Sequence, residues 1–252
     1  MSELSPLDAS SDSLPFDAPA DTLLDLFENS EFEVEGRMPY SSNLTLLVHF
    51  TDSEERDVRA IYKPGQGERP LWDFPENLYR REVAMYRLSA ALGWTVIPPT
   101  TFATGMMGDG SVQAFVNADF SEHYFTLFEA GTALDDLQKL CLLDVIGNNT
   151  DRKSGHCLLG PDGHVYGIDN GLSFHSEFKL RTVIWDFAGD PIPETILADV
   201  ARFVDVGPPI ELAALLNPFE QDAVRARARA VLNDGRFPLD DTEGHRWPWP
   251  LV

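Results

Sequence analysis

The stretch VIGNNTDRKSGHCLLGPDGHVYGIDNG, residues 145–171, decides how the chain is read. Two of its three aspartates, Asp151 and Asp169, come shortly after an apolar run, and each is followed by polar or small residues. Upstream, TALDDLQKLCLLDVIGN (residues 132–148) has helical spacing. Leu137, Leu140, Cys141 and Val145 mark its buried side, which Asp144 interrupts. Thr132 is the expected N-cap, with Asp135 three residues on in an acidic version of the capping box. Downstream of Asp151, the strand-like runs HCLLG and HVYGI flank Pro161, Asp162 and Gly163, a turn sequence. A β-hairpin therefore separates the two carboxylates in the chain.

Toward the N-terminus, residues 1–20 are rich in Ser, Asp, Pro and Ala and hold too few apolar residues to fold alone, so a disordered tail is expected. A short helix is expected over 21–28. Three strand-like runs follow: EFEVEG (31–36), NLTLLVHF (43–50) and DVRAIYK (57–63), the last ending at Lys63 before Pro64. Residues 64–77, PGQGERPLWDFPEN, are full of breakers and read as a long loop. Residues 77–93 are helical, since Tyr79, Val83, Tyr86 and Ala90 share one face, and Gly93 supplies a left-handed stop. TTFATG (100–105) and SVQAFV (111–116) flank MGDG (107–110) as a hairpin. Beyond Val116 the pattern turns helical, most clearly in NPFEQDAVRARARAVLND (217–234). The fold class is therefore α+β. A small sheet-rich N-lobe with one long helix (21–116) precedes a mainly helical C-lobe (117–252).

Composition narrows the function. A net charge of −22 opposes binding to a nucleic-acid backbone, which needs basic residues to displace counterions. It equally opposes docking on an anionic membrane. No apolar run approaches the ~20 residues that a membrane helix needs, and the N-terminus lacks the basic-then-apolar order of a secretion signal. Two cysteines, Cys141 and Cys157, make no disulfide framework, so a cytoplasmic location is expected.

A helix, a loop with one aspartate, a hairpin and a second aspartate at its exit form the order required by kinase catalytic and metal loops. NNTDRKSGH (148–156) resembles the DRH…N catalytic loop of the phosphoinositide 3/4-kinase-like superfamily, and GIDNG (167–171) resembles its IDFG metal loop. KPGQGERPLWDFP, YRREVA, PPT, SVQ.FV, DNGL.F and a WPWP-like close, from Lys63 to Pro250, resemble a compact actinobacterial group within that superfamily. The resemblance implies a bilobal protein-kinase-like fold with ATP as nucleotide and Mg or Mn as ion. It makes Lys63 the contact to the nucleotide phosphates and Glu82 the acid that holds Lys63. Asp151 becomes the catalytic-loop aspartate and Asp169 the metal aspartate. Ser41 and Ser42, in the turn between the first two strands, would cover the phosphates. Gln113, Phe115 and Val116 fall in the hinge whose backbone would meet the adenine. His156 departs from the pattern, which has asparagine there as a second metal ligand. Histidine suits manganese or zinc better than magnesium, or serves a phosphate or a proton. Asn149 or Asn148 is the alternative source of the missing oxygen.

Each residue alone has a plainer reading. Asn170-Gly171 is a strong turn dipeptide, Asp151 beside Arg152 and Lys153 makes a local ion pair, and Lys63 and Glu82 can be solvated charges. Their order along the chain favours a nucleotide site. The expected function is an ATP- and metal-dependent phosphotransferase acting on a non-lipid hydroxyl acceptor, a small metabolite or a protein. The alternatives are a non-catalytic nucleotide sensor of the same fold, which His156 favours, and transfer of AMP in place of phosphate. Trp72 and Phe74 read as core anchors or as a lid. Residues 247–250, WPWP, read as a tail packing on a lobe or as a peptide dock.

Overall fold

The computed structural model describes residues 18–39, 41, 43–240 and 246–251. Most of the expected tail lies outside the described residues, as does Ser42. The chain divides into two compact units. The first runs to Val83 and includes Pro98–Asn117; the second comprises Ala84–Ile97 and the residues from Ala118 on.

In the first unit, helix α1 (Ala20–Asn29) buries Leu23, Leu24 and Phe27. Strands β1 (Glu33–Arg37), β2 (Leu46–Thr51), β3 (Asp57–Pro64), β4 (Thr100–Gly105) and β5 (Gly108–Ala114) form one antiparallel sheet in the order β1-β2-β3-β5-β4. On β3, Val58, Ala60 and Tyr62 point inward and join Phe27, Phe50 and Val112 in the core. The period of two then turns Lys63 to the other face. The β4–β5 turn differs from expectation. Gly105 pairs with Gly108, so Met106 and Met107 make the loop and 108–110 already belong to β5. Gly108, at φ +86°, follows the two-residue turn, and Gly110 serves the close approach of the strands. A Cβ on Gly110 would lie 2.4 Å from the Lys63 carbonyl, too close for any other residue.

Helix α2 (Tyr79–Leu92) starts in the first unit and continues in the second. It stops at Gly93, whose φ is +78°. The second unit adds α3 (Tyr124–Ala130), α4 (Leu134–Gly147), the hairpin β6 (Cys157–Leu159) and β7 (Val165–Gly167), then α5 (Glu194–Val206), α6 (Ile210–Ala213) and α7 (Pro218–Asp234). Ten of the fourteen residues of α4 are buried, so it is a central helix apolar on most sides, not a surface helix with one apolar stripe. Its start also differs from expectation. Gly131, at φ +68°, ends α3, and the Thr132 N–H closes that helix on the Leu127 carbonyl at 2.9 Å. Thr132 is therefore spent on α3, and α4 begins after Ala133 with no side-chain cap. At α7 the signals act as written: Asn217 and Glu220 form a capping box and Pro218 takes the first helical position. The architecture is α+β and bilobal in the kinase-like manner, with a sheet-rich N-terminal region carrying a long helix and a mainly helical C-terminal region.

Candidate functional site

In the first unit, Lys63 Nζ lies 2.5 Å from Glu82 Oε1, and the Glu82 side chain is only 4% exposed. Glu82 sits in the first turn of α2, whose opening N–H groups at Leu78 and Tyr79 donate to the Glu68 carboxylate at 2.8 and 2.7 Å. The loop after Lys63 thus fixes the helix that fixes Lys63. Half-buried Ser41 lies in the β1–β2 connection. That connection is tied to the same loop by the Arg69 N–H on Asn43 Oδ1 and by the Leu44 N–H on the Gly67 carbonyl. Gln113 is a sheet residue, paired with both Ile61 and Thr100, and its side-chain amide donates to Thr100 Oγ1. The Phe115 N–H donates to the Arg59 carbonyl, and Val116 is the first expected hinge residue beyond these bonds. Trp72 is no core anchor, being 94% exposed, whereas Phe74 lies under the Arg81 guanidinium.

In the second unit, Asp151 and Asp169 are held in different ways. Asp151 is half-buried. Its N–H donates to Asn149 Oδ1 at 3.0 Å, and Lys153 Nζ lies 2.8 Å from its Oδ2. Burial pushes the Asp151 carboxyl above the usual carboxylate range, the Asp169 charge adds to that, and Lys153 and Arg152 oppose it. Asp169 leaves β7 at φ +57° with its side chain 53% exposed. A non-glycine residue in that region is uncommon, and aspartate tolerates it better than most. His156 Nε2 stands 3.6 Å from Asp169 Oδ2. The Lys153 N–H points at His156 Nδ1 from 3.4 Å, on the other side of the ring from Asp169.

Beneath these groups lies a network that the sequence did not announce. Asp144 of α4 and Arg152 are both fully buried. The Arg152 guanidinium donates to both Asp144 oxygens at 2.9–3.2 Å, to Asn170 Oδ1 at 2.6 Å and to the Ile168 carbonyl at 2.6 Å. Asp144 also accepts from Asn149 Nδ2 and Thr182 Oγ1. One buried arginine therefore ties the Asp151 loop to the Asp169 loop. It is not the partner of Asp151; Lys153 is. Residue 152 bridges to Thr182 as a strand residue does, so 151 and 153 face one way and 152 the other. Asn149 is fully buried, with its amide bonded to Asp144 and to the Asp151 N–H, so it supports the loop. Asn148 is likewise buried, capping α4 at φ +55° and bonding the carbonyls of His175 and Glu177. The one trace of this network in the sequence was Asp144, an acid on an otherwise apolar helix side.

No family model matches the chain. It is 37% identical over 260 residues to Protein Rv2133c of Mycobacterium tuberculosis (strain ATCC 25618 / H37Rv), a match covering 88% of this chain and 92% of that protein. The chain belongs to the Rv2133c family. The fold is shared with a Golgi casein kinase solved with Mn/ADP bound, at TM-score 0.55 and 16% identity over 92% of this chain and 80% of that one. It is shared too with hydra Fam20 solved with sugar, at TM-score 0.54 and 12% identity over 89% and 91%. The Rv2133c-family protein is thus a member of a compact actinobacterial group with a kinase-like fold.

The donors suit one kind of ion site. Among the described residues no three His, Cys, Asp or Glu side chains gather as a metal cluster. An ion delivered on a nucleotide needs only one or two protein carboxylates, because phosphates and water supply its other ligands, and the Asp169 side chain is 53% exposed.

Proposed function

We propose that this Rv2133c-family protein is an ATP- and divalent-metal-dependent phosphotransferase acting on a hydroxyl of a small metabolite or a protein. The observation that carries the reading is the pairing of a half-buried Asp151 with an exposed, left-handed Asp169, both anchored on the Asp144–Arg152–Asn170 network. In this reading Lys63, braced by Glu82, neutralises phosphate charge, with Ser41, Ser42 and Val116 as further nucleotide contacts. Asp169 holds the ion carried by the phosphates, and His156 orients Asp169. The ion, Mg or Mn, supplies charge stabilisation at the transferred phosphoryl group. Asp151 accepts the proton of the attacking hydroxyl. Its raised pKa suits a base, since proton transfer is most efficient when the pKa approaches the working pH. The Mn/ADP bound to the Golgi casein kinase supports a nucleotide with its metal as ligand. The charge of −22 supports an acceptor that is neither nucleic acid nor anionic lipid. Free, buried Cys141 and Cys157 support a cytoplasmic setting, and no helix among the described residues is long and apolar enough to cross a membrane.

A second reading, a nucleotide sensor without turnover, is favoured by His156, which stands where a second oxygen ligand is expected. Incubation with manganese, a cell extract and ATP labelled on the γ- or the α-phosphate separates the cases. The proposal expects γ-label on an extract component. Transfer of α-label would indicate AMP transfer. Absence of any transfer, with ATP still raising the melting temperature, would establish the sensor.

A further inference from the structure

Residues 246–251 lie against the Asp151 loop. The Leu251 carbonyl accepts the Ser154 N–H at 2.8 Å, and the Arg246 carbonyl accepts the Thr182 N–H at 3.0 Å. Thr182 belongs to the strip that lines the same loop from the other direction. The Arg152 N–H donates to the Arg181 carbonyl, the Val183 N–H donates to the Arg152 carbonyl, and the Arg181 N–H donates to the Asn149 carbonyl. The loop, the 181–183 strip and the 246–251 segment therefore form one hydrogen-bonded set that closes on Ser154, midway between Asp151 and His156. Side chains anchor the segment. Trp247 and Leu251 pack on the hydrophobic core of the second unit, Pro248 is buried, and the Arg246 guanidinium lies 5.2 Å from the centre of the Phe178 ring. Trp249 points outward at 87% exposure.

We propose that the 246–251 segment is a positioning strap for the catalytic loop: it holds the short helical turn Ser154–His156, and through it sets Asp151, Lys153 and His156. The assignment rests on the function proposed above, and the role is one of positioning, since no strap residue is placed to touch the reacting atoms. The Ser154 N–H would otherwise be a buried donor without a protein acceptor, which a folded loop does not tolerate cheaply. Its hydroxyl is already a buried polar atom with no partner, so the backbone bond to Leu251 is the polar contact that Ser154 makes with this segment.

Two full-length variants test the strap. Trp247→Ala removes the anchor ring. Ser154→Pro removes the donor itself, at the first position of a short helical turn where proline is accepted and after a Lys153 already extended at ψ 165°. For Trp247→Ala, hydrogen exchange is expected to lose protection at the Ser154 and Thr182 amides while α5 and α7 keep theirs. For both variants, kcat for γ-phosphate transfer is expected to fall about tenfold or more, as misplaced catalytic groups do. Trp247→Phe is expected to restore both readouts. Parent-like protection of Ser154 in Trp247→Ala would overturn the strap, and so would lost protection with parent-like kcat. A parent without turnover would overturn the proposed function, and the strap's positioning role with it, while the exchange pattern still reported whether the segment holds the loop.

Discussion

Asp151 is a carboxylate that the fold keeps at a cost. Burial raises its pKa, so its ionised form destabilises the folded state. The sign follows from linkage. Stability associated with the protonated group is complete below the unfolded value, about 3.9, and is lost as pH rises through the raised folded value. Asp151→Asn is therefore expected to raise the melting temperature near neutral pH, with the gain vanishing toward about pH 4, while nucleotide binding persists and turnover stops. A lowered melting temperature at neutral pH would show that the Lys153 pair outweighs burial. Arg152 gives the opposite case. Arg152→Ala leaves Asp144 buried without its cation and is expected to cost about 3–5 kcal/mol in urea unfolding. Arg152→Lys is expected to restore little, because one ammonium cannot replace a planar fork that meets Asp144, Asn170 and the Ile168 carbonyl together. The two acidic groups were legible in the sequence, since their order around a hairpin is a strong pattern. Arg152 was not, because which way a loop residue faces depends on its bridge to Thr182, a partner 30 positions away.

At the level of elements, the hairpin between the aspartates acts as a spacer packed tightly on its neighbours. Gly167, at the end of β7, has little room for a side chain: a Cβ there would meet Leu140 Cδ2 at 2.6 Å and Arg152 Nη2 at 3.2 Å, and these side-chain ends would have to shift. Gly167→Ala is expected to cost about 1–3 kcal/mol through overpacking and to lower turnover by displacing Arg152, measurable by thermal melts and by γ-phosphate transfer on the same sample. Unchanged values for both would mean that Leu140 and Arg152 yield freely. Elements with local signals were readable in advance. The β6–β7 turn has its proline and glycine, α7 has Asn217-Pro218 with Glu220, and α2 has its stop at Gly93. Helix α3 was missed, and the start of α4 misplaced, for one reason. Gly131-Thr132 looks like an N-terminal cap, but the Thr132 N–H closes the preceding helix. The same ambiguity moved the β4–β5 turn, where Gly110, needed for close strand approach, resembles a turn former.

For the whole molecule, the two-part architecture followed from a strand-rich half preceding a helix-rich half, and 37% identity to Protein Rv2133c places the chain in its family. Charge acts at this scale too. A net −22 would repel polyanions unless a cation accompanies them, so nucleotide affinity should depend steeply on divalent metal. The proposed function requires that ATP bind through a metal ion held by the exposed Asp169. Calorimetric titration of ATP into the parent and into Asp169→Asn, each with and without manganese, tests it most directly. The account predicts binding to the parent only with manganese, and loss of that binding in a folded Asp169→Asn. Equal affinity of parent and variant for ATP with manganese would contradict it.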